Sequence, residues 1–174
     1  NKSIDLCSQH YQLNKQDFVI GREFDRQGAV ISVSTTQNNA SQCLLMIGSV
    51  FQLLSDVLYK RYREDKRFVL QTRCSVASAV EAMQLDALQA SERLTHHLIA
   101  KEMALYLNNE QLKHVGDCYQ LVPMPNPTSV LTRHAFMING MNESCAELAQ
   151  QIRTEILKGK SQPSTEPDLK DQAS

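Results

Sequence analysis

The sequence has no tryptophan, only six glycines, and no glycine-rich phosphate loop of the GxGxxG or GxxxxGK(S/T) kind. It also contains no GxSxG motif around a serine nucleophile and no HExxH motif for zinc. These absences remove the local signatures of nucleotide-binding domains, serine hydrolases and zinc proteases. The sequence alone therefore predicts no catalytic residue, no metal ligand and no cofactor.

An excess of charge of either sign is also missing. Eighteen basic residues face nineteen acidic ones, so no overall field attracts the protein to nucleic acid or to an anionic membrane. Apolar residues make up 42% of the chain, which is an ordinary value for a globular protein. We predict a single domain over residues 1–158 and a disordered tail over 159–174, where apolar residues are few.

Five cysteines are spread over the chain and form no CxxC pair. This odd number and wide spacing argue against a zinc ribbon and against a disulfide framework. We therefore expect reduced and mostly buried thiols.

The most apolar segment, residues 43–59, contains Ser49, Gln52 and Asp56 and is shorter than the roughly 20 apolar residues that a bilayer span needs. These three residues continue through Lys60 and Arg63 as one narrow polar stripe on a helix that is otherwise apolar. We expect a core helix that starts near Asn39 or Ser41, a protein without a membrane partner, and a cytoplasmic location.

Alternating residues over 17–36 predict a β-hairpin with a turn at "DRQG". Three further strands are predicted at residues 67–73, 118–123 and 132–138, and the last two are joined by a proline-rich connection. A final helix is predicted from a capping box at Ser144 to Gly159. We expect an α+β fold in which an antiparallel sheet packs against a buried helix, one long helix and this C-terminal helix.

Residues 75–107 lack glycine and proline and predict the long helix, with one apolar stripe facing the core. A second stripe on nearly the opposite side would then be free to contact another chain. This pattern favours a non-enzymatic, macromolecule-binding regulatory or adaptor protein that forms a homodimer or binds another protein. The predicted partner-binding residues are Leu85, Leu88, Glu92, Ile99, Met103 and Tyr106.

Two alternatives remain open. The basic run at residues 59–67 could contact nucleic-acid phosphates, and its cations are Lys60, Arg61, Arg63, Lys66 and Arg67. A small-molecule sensor or enzyme is the second alternative, with a pocket between the sheet and the long helix that is lined by His97, His134 or Cys118. Glu92 and His96 lie four residues apart and could approach each other, but two ligands do not make a metal site, so we expect a solvated pair.

Overall fold

A computed structural model describes residues 2–25, 28–62 and 72–159, and this part of the chain has an α+β fold with six helices and two sheets. The predicted class is therefore confirmed. Except for Gly159, the predicted tail lies outside the described residues. The helices are α1 (Lys2–His10), α2 (Ala40–Tyr62), α3 (Ala87–His96), α4 (Asn109–Gly116), α5 (Val130–Arg133) and α6 (Glu143–Lys158), and the strands are β1 (Phe18–Asp25), β2 (Gly28–Val33), β3 (Cys74–Ala77), β4 (Met103–Tyr106), β5 (Tyr119–Pro123) and β6 (Phe136–Met141).

The predicted hairpin is present as a two-stranded antiparallel sheet of its own, made of β1 and β2. The other four strands form a second sheet in the order β3-β4-β6-β5. In this sheet β3 runs parallel to β4, whereas β6 is antiparallel to both β4 and β5. The expectation of one antiparallel sheet was therefore wrong, because the chain between β3 and β4 contains a helix long enough to cross over and return in the same direction.

Side chains of β4 alternate between two apolar cores, one on each face of the four-stranded sheet. Met103 and Leu105 belong to the first core, which they share with α1, α2 and α6. Ala104 belongs to the second core, which combines residues of α3 and α5 with residues of the connections around them. The sheet is therefore a middle layer covered by helices on both faces.

Helix α2 lies against the sheet at a position where a side chain would not fit. A Cβ atom at Gly48 would lie 2.5 Å from Cys74 Sγ and 3.3 Å from Met103 Cε, so glycine allows the close approach to β3 and β4. Among the described residues, α2 is the one helix that is long and apolar enough to cross a membrane, and 44% of its most apolar stretch is buried within the protein. Cys43, Leu45 and Val50 are among these buried residues, as in a core helix.

The single long helix predicted over residues 75–107 is wrong. The segment contains β3, a short 3-10 turn at Glu81–Met83, α3 and β4. Two residues with positive φ, Gln84 at 52° and Lys101 at 68°, break the helical path before and after α3. Neither is a glycine, so neither break was marked by the residue type most typical of positive φ.

Capping residues define the helices of the second half of the chain. Helix α3 begins at a capping box in which Asp86 accepts from the backbone N–H of Gln89, and Gln89 returns a bond to the backbone N–H of Asp86. Helix α6 begins at Asn142 rather than at the predicted Ser144, and it ends before Gly159 as expected. The asparagine side chain accepts from the backbone N–H of Cys145 at 2.9 Å.

A disulfide joins Cys118, just before β5, to Cys145 in the first turn of α6. The expectation of reduced cysteines was wrong for this pair, since the two residues are distant in sequence and only the fold brings them together. Cys7, Cys43 and Cys74 are free thiols. Burial raises the pKa of the Cys7 and Cys43 thiols to about 12 and that of Cys74 to about 11.

Candidate functional site

The predicted partner-binding residues do not share one face, because the helix that would align them does not exist. Leu85 and Met103 are buried. Tyr106 is the last residue of β4, and its side chain packs on the second core. Leu88 and Glu92 are exposed on α3, and Ile99 is 70% exposed in the connection that follows. Only scattered exposed apolar side chains remain of the predicted stripe.

The histidines, the glutamate and the cysteine predicted as candidate ligands or pocket residues differ in their exposure. Glu92 and His96 are exposed in the second half of α3, His97 is exposed directly after this helix, and His134 is exposed after α5. Cys118 is buried and held in the disulfide. Residues 2–25, 28–62 and 72–159 contain no group of three or more His, Cys, Asp or Glu side chains that could hold a metal ion.

The basic run lies at the end of α2 and only partly within the described chain. Lys60 and Arg61 are exposed in the last turn of the helix, where positive charge is favourable next to the carbonyl end of the helix. Arg63, Lys66 and Arg67 fall outside the described residues. Nucleic-acid binding by this run stays a prediction.

The hairpin is anchored at one end and exposed along the rest of its length. Phe18 is buried in the first core, where Ile31 and Val33 also pack, and the backbone N–H of Ser34 donates to Asp17 O. Farther along β1 the side chains of Val19 and Ile20 are 58% and 39% exposed. We call residues 18–33 the hairpin arm. A two-stranded hairpin is marginally stable alone, so the hairpin arm depends on its anchor or on a further partner.

The two edges of the hairpin arm differ. Between the pairs Ile20↔Ile31 and Arg22↔Val30, β1 advances two residues while β2 advances one, and a second extra residue follows before the pair Asp25↔Gly28. Such bulges disturb the outer edge of β1, which also carries three charged residues. Strand β2, with the sequence GAVISV, has no bulge, no charge and no proline. Within the described chain, β2 pairs only with β1, so its other edge is open and unprotected.

A cavity of about 260 Å³ lies between the second half of α2 and the four-stranded sheet. Its inner end holds the hydroxyls of Ser49 and Tyr119, 2.8 Å apart, on side chains that are almost fully buried. Its outer end holds Asp56 and Lys101, which form an ion pair at 3.4 Å and are both substantially exposed. Apolar side chains form the walls between the two ends, and these are Leu53, Met103, Ile138 and Met141.

Comparison with known proteins does not assign the chain to a family. No protein-family model matches the chain, and no curated protein has a similar sequence.

Both features had a partial signal in the sequence. The polar stripe of α2 was visible, and its members Ser49, Gln52 and Asp56 line the cavity. The stripe could not by itself show that the sheet supplies the opposite wall, because Lys101, Tyr119 and Gly140 come from distant segments. The uncharged strand β2 was also visible, but whether its edge is open depends on the placement of every other strand.

Proposed function

We propose that the protein is a non-enzymatic protein-binding module that self-associates by strand addition along β2. The observation that carries the proposal is the contrast between the two edges of the hairpin arm: β1 is bulged and charged, while β2 is regular and uncharged. Exposed strand edges without charge, proline or bulges pair readily with other chains. Strand addition is also a common way for proteins to recognise extended segments.

A second copy of the chain suits this edge because β2 is complementary to itself. In an antiparallel pair related by a two-fold axis at Ile31, Ile31 of one copy would lie opposite Ile31 of the other, and Val30 opposite Ser32. No charge meets a like charge in this register, and both β-branched residues gain a cross-strand neighbour. The result is a four-stranded sheet with β1 at both outer edges, where the bulges discourage further growth.

Charge placement on β2 tests whether this edge forms the interface. Ala29 and Ser32 are exposed, so lysine at both positions leaves the fold intact while placing four like charges across the proposed interface. We expect light scattering after size-exclusion chromatography to show a dimer for the wild type and a monomer for Ala29→Lys/Ser32→Lys. Mixing this variant with Ala29→Glu/Ser32→Glu should recover a dimer, because the lysines of one copy then lie close to the glutamates of the other.

Val19→Lys is the matched control, since it adds a charge to the exposed face of β1 without touching the edge of β2. It should leave the dimer intact. A wild type that stays monomeric at high concentration would refute self-association. A dimer that survives Ala29→Lys/Ser32→Lys would show that another surface is responsible.

The cytoplasmic location stays a prediction. The Cys118–Cys145 disulfide weighs against it, because reducing compartments keep most protein thiols free. The free thiols of Cys7 and Cys43 are compatible with either environment because burial protects them.

A further inference from the structure

The cavity between α2 and the sheet has one charged end and one apolar body, and this division suits a particular class of small molecule. We propose that it binds a free α-amino acid with an apolar side chain, of the size of leucine or methionine. The ammonium and carboxylate groups would lie at the outer end and the side chain between the apolar walls. This inference is independent of the hairpin arm and of self-association.

The size of the cavity limits the ligand. A volume of about 260 Å³ is below the range of roughly 300–1,000 Å³ that is usual for drug-sized ligands. Nucleotides, larger cofactors and peptides are therefore too big to be enclosed. An amino acid of medium size fits this volume and leaves its charged end near solvent.

The outer end offers one group of each sign. Asp56 Oδ1 and Lys101 Nζ are 3.4 Å apart, longer than the roughly 2.7–2.9 Å of a strong charge-assisted hydrogen bond. The pair is also exposed, so it contributes little to stability and is easily exchanged. A zwitterion can replace it with two pairs, its ammonium beside Asp56 and its carboxylate beside Lys101. A ligand with one charge can satisfy only one of the two residues.

The backbone at the cavity is specialised in a way that supports a binding role. Lys101 has φ 68°, and it alone is charged among the four described non-glycine residues with positive φ. Such conformations are costly for a residue with a side chain and concentrate at functional sites. On the sheet side the lining includes Gly140, whose φ of 149° strains any other residue. Two residues of the cavity therefore have unusual backbone conformations, Lys101 at the outer end and Gly140 in the wall.

The inner end accounts for the preference for an apolar side chain. Ser49 Oγ donates to Leu45 O at 2.8 Å, so the hydroxyl of Tyr119 donates to Ser49 Oγ. Both hydroxyl protons are then used within the protein, and no donor is left for a charged or carbonyl group of the ligand. The nearby walls are aliphatic or thioether side chains, Leu53, Met103, Ile138 and Met141, which favour aliphatic and thioether ligands.

Isothermal titration calorimetry with leucine and methionine tests the proposal, together with two analogues of leucine. Isoamylamine lacks the carboxylate, and isocaproate lacks the ammonium group. We expect the amino acids to bind and each analogue to bind about 10- to 100-fold more weakly, since one charged contact is lost. Lys101→Met should weaken leucine binding by a similar factor, and so should Asp56→Asn.

Lys113→Met is the matched control, because Lys113 forms a comparable exposed ion pair with Glu110 on α4, away from the cavity lining. It should leave leucine affinity unchanged. The proposal is overturned if neither amino acid binds at millimolar concentration, or if both analogues bind as tightly as leucine. It is also overturned if Lys101→Met and Lys113→Met have equal effects.

Discussion

Removal of the Cys118–Cys145 disulfide should lower stability without changing the native fold. The bond joins residues 27 apart, and a cross-link of this span reduces the entropy of the unfolded chain. Loop-closure arguments assign such a span about 3.5 kcal/mol at room temperature. This is a large part of the 5–15 kcal/mol or so that stabilises an ordinary domain. We therefore expect the doubly substituted variant Cys118→Ser/Cys145→Ser to lose roughly this amount.

The native junction should persist because hydrogen bonds hold the same two segments. The backbone N–H of Asn142 donates to Cys118 O at 2.9 Å, and the side chain of Asn142 donates to Asp117 O. The same side chain caps α6 by accepting from the backbone N–H of Cys145. The start of α6 therefore stays beside β5 when the sulfur atoms are no longer joined, and the far-ultraviolet circular dichroism should be unchanged.

Urea unfolding followed by circular dichroism measures the effect, in mildly acidic buffer where few thiolates can exchange with the bond. Reduction of the unfolded wild type with a phosphine, which does not need a thiolate, should destabilise it by the same amount and leave the double variant unaffected. Thiol titration of the denatured protein should find three reactive thiols without reductant and five with it. A loss below about 1 kcal/mol would refute the loop-entropy argument, and five thiols without reductant would refute the bond itself.

Two further predictions concern packing and pH. Gly48→Ala should lower the free energy of unfolding, measured by urea titration, by about 1–3 kcal/mol, because the new Cβ would lie 2.5 Å from Cys74 Sγ. The control Gly116→Ala has nothing within 4 Å of its Cβ and should not destabilise the protein. Equal effects of the two substitutions would contradict the close approach of α2 to the sheet. Burial raises the pKa of the Cys7 and Cys43 thiols from 9.0 to about 12. The free energy of unfolding should therefore be constant near neutral pH and fall as the pH rises above about 9, because these thiols then ionise in the unfolded protein but not in the folded one. A urea midpoint that stays constant up to pH 10.5 or so would contradict this linkage.

Elements with strong local signals could be predicted from the sequence. The hairpin, α2 and α6 each combine the correct period with nearby turn or capping residues, and each is present. The prediction of one helix over residues 75–107 was wrong because the many helix-forming residues and the absence of glycine and proline favoured a continuous helix. The capping box at Asp86 and Gln89, which marks the start of α3, was given less weight than these signals. The pairing of β3 with β4 is a contact between distant segments, and local propensity does not encode it.

The candidate sites were less predictable than the fold for the same reason. The predicted contact stripe assumed that Leu85, Ile99 and Met103 keep helical spacing, whereas two of them are buried and one is in a connection. The cavity needs side chains from α2, β4, β5 and β6, so its existence depends on the arrangement of the whole sheet. Only the α2 contribution, the polar stripe, could be identified in advance.

That stripe is also the best reason to regard the cavity as more than a packing defect. A polar stripe on an otherwise apolar helix usually faces water, whereas the first part of the α2 stripe, Ser49, Gln52 and Asp56, lines the cavity against the sheet. At the buried position of Ser49 an apolar residue would allow a tighter core, because a buried polar group costs free energy unless it is hydrogen-bonded. Ser49 is satisfied by Leu45 O and Tyr119, and Gln52 donates to Lys101 O at 3.4 Å. The chain therefore maintains a partnered polar lining in a place where stability alone favours filling the space with carbon.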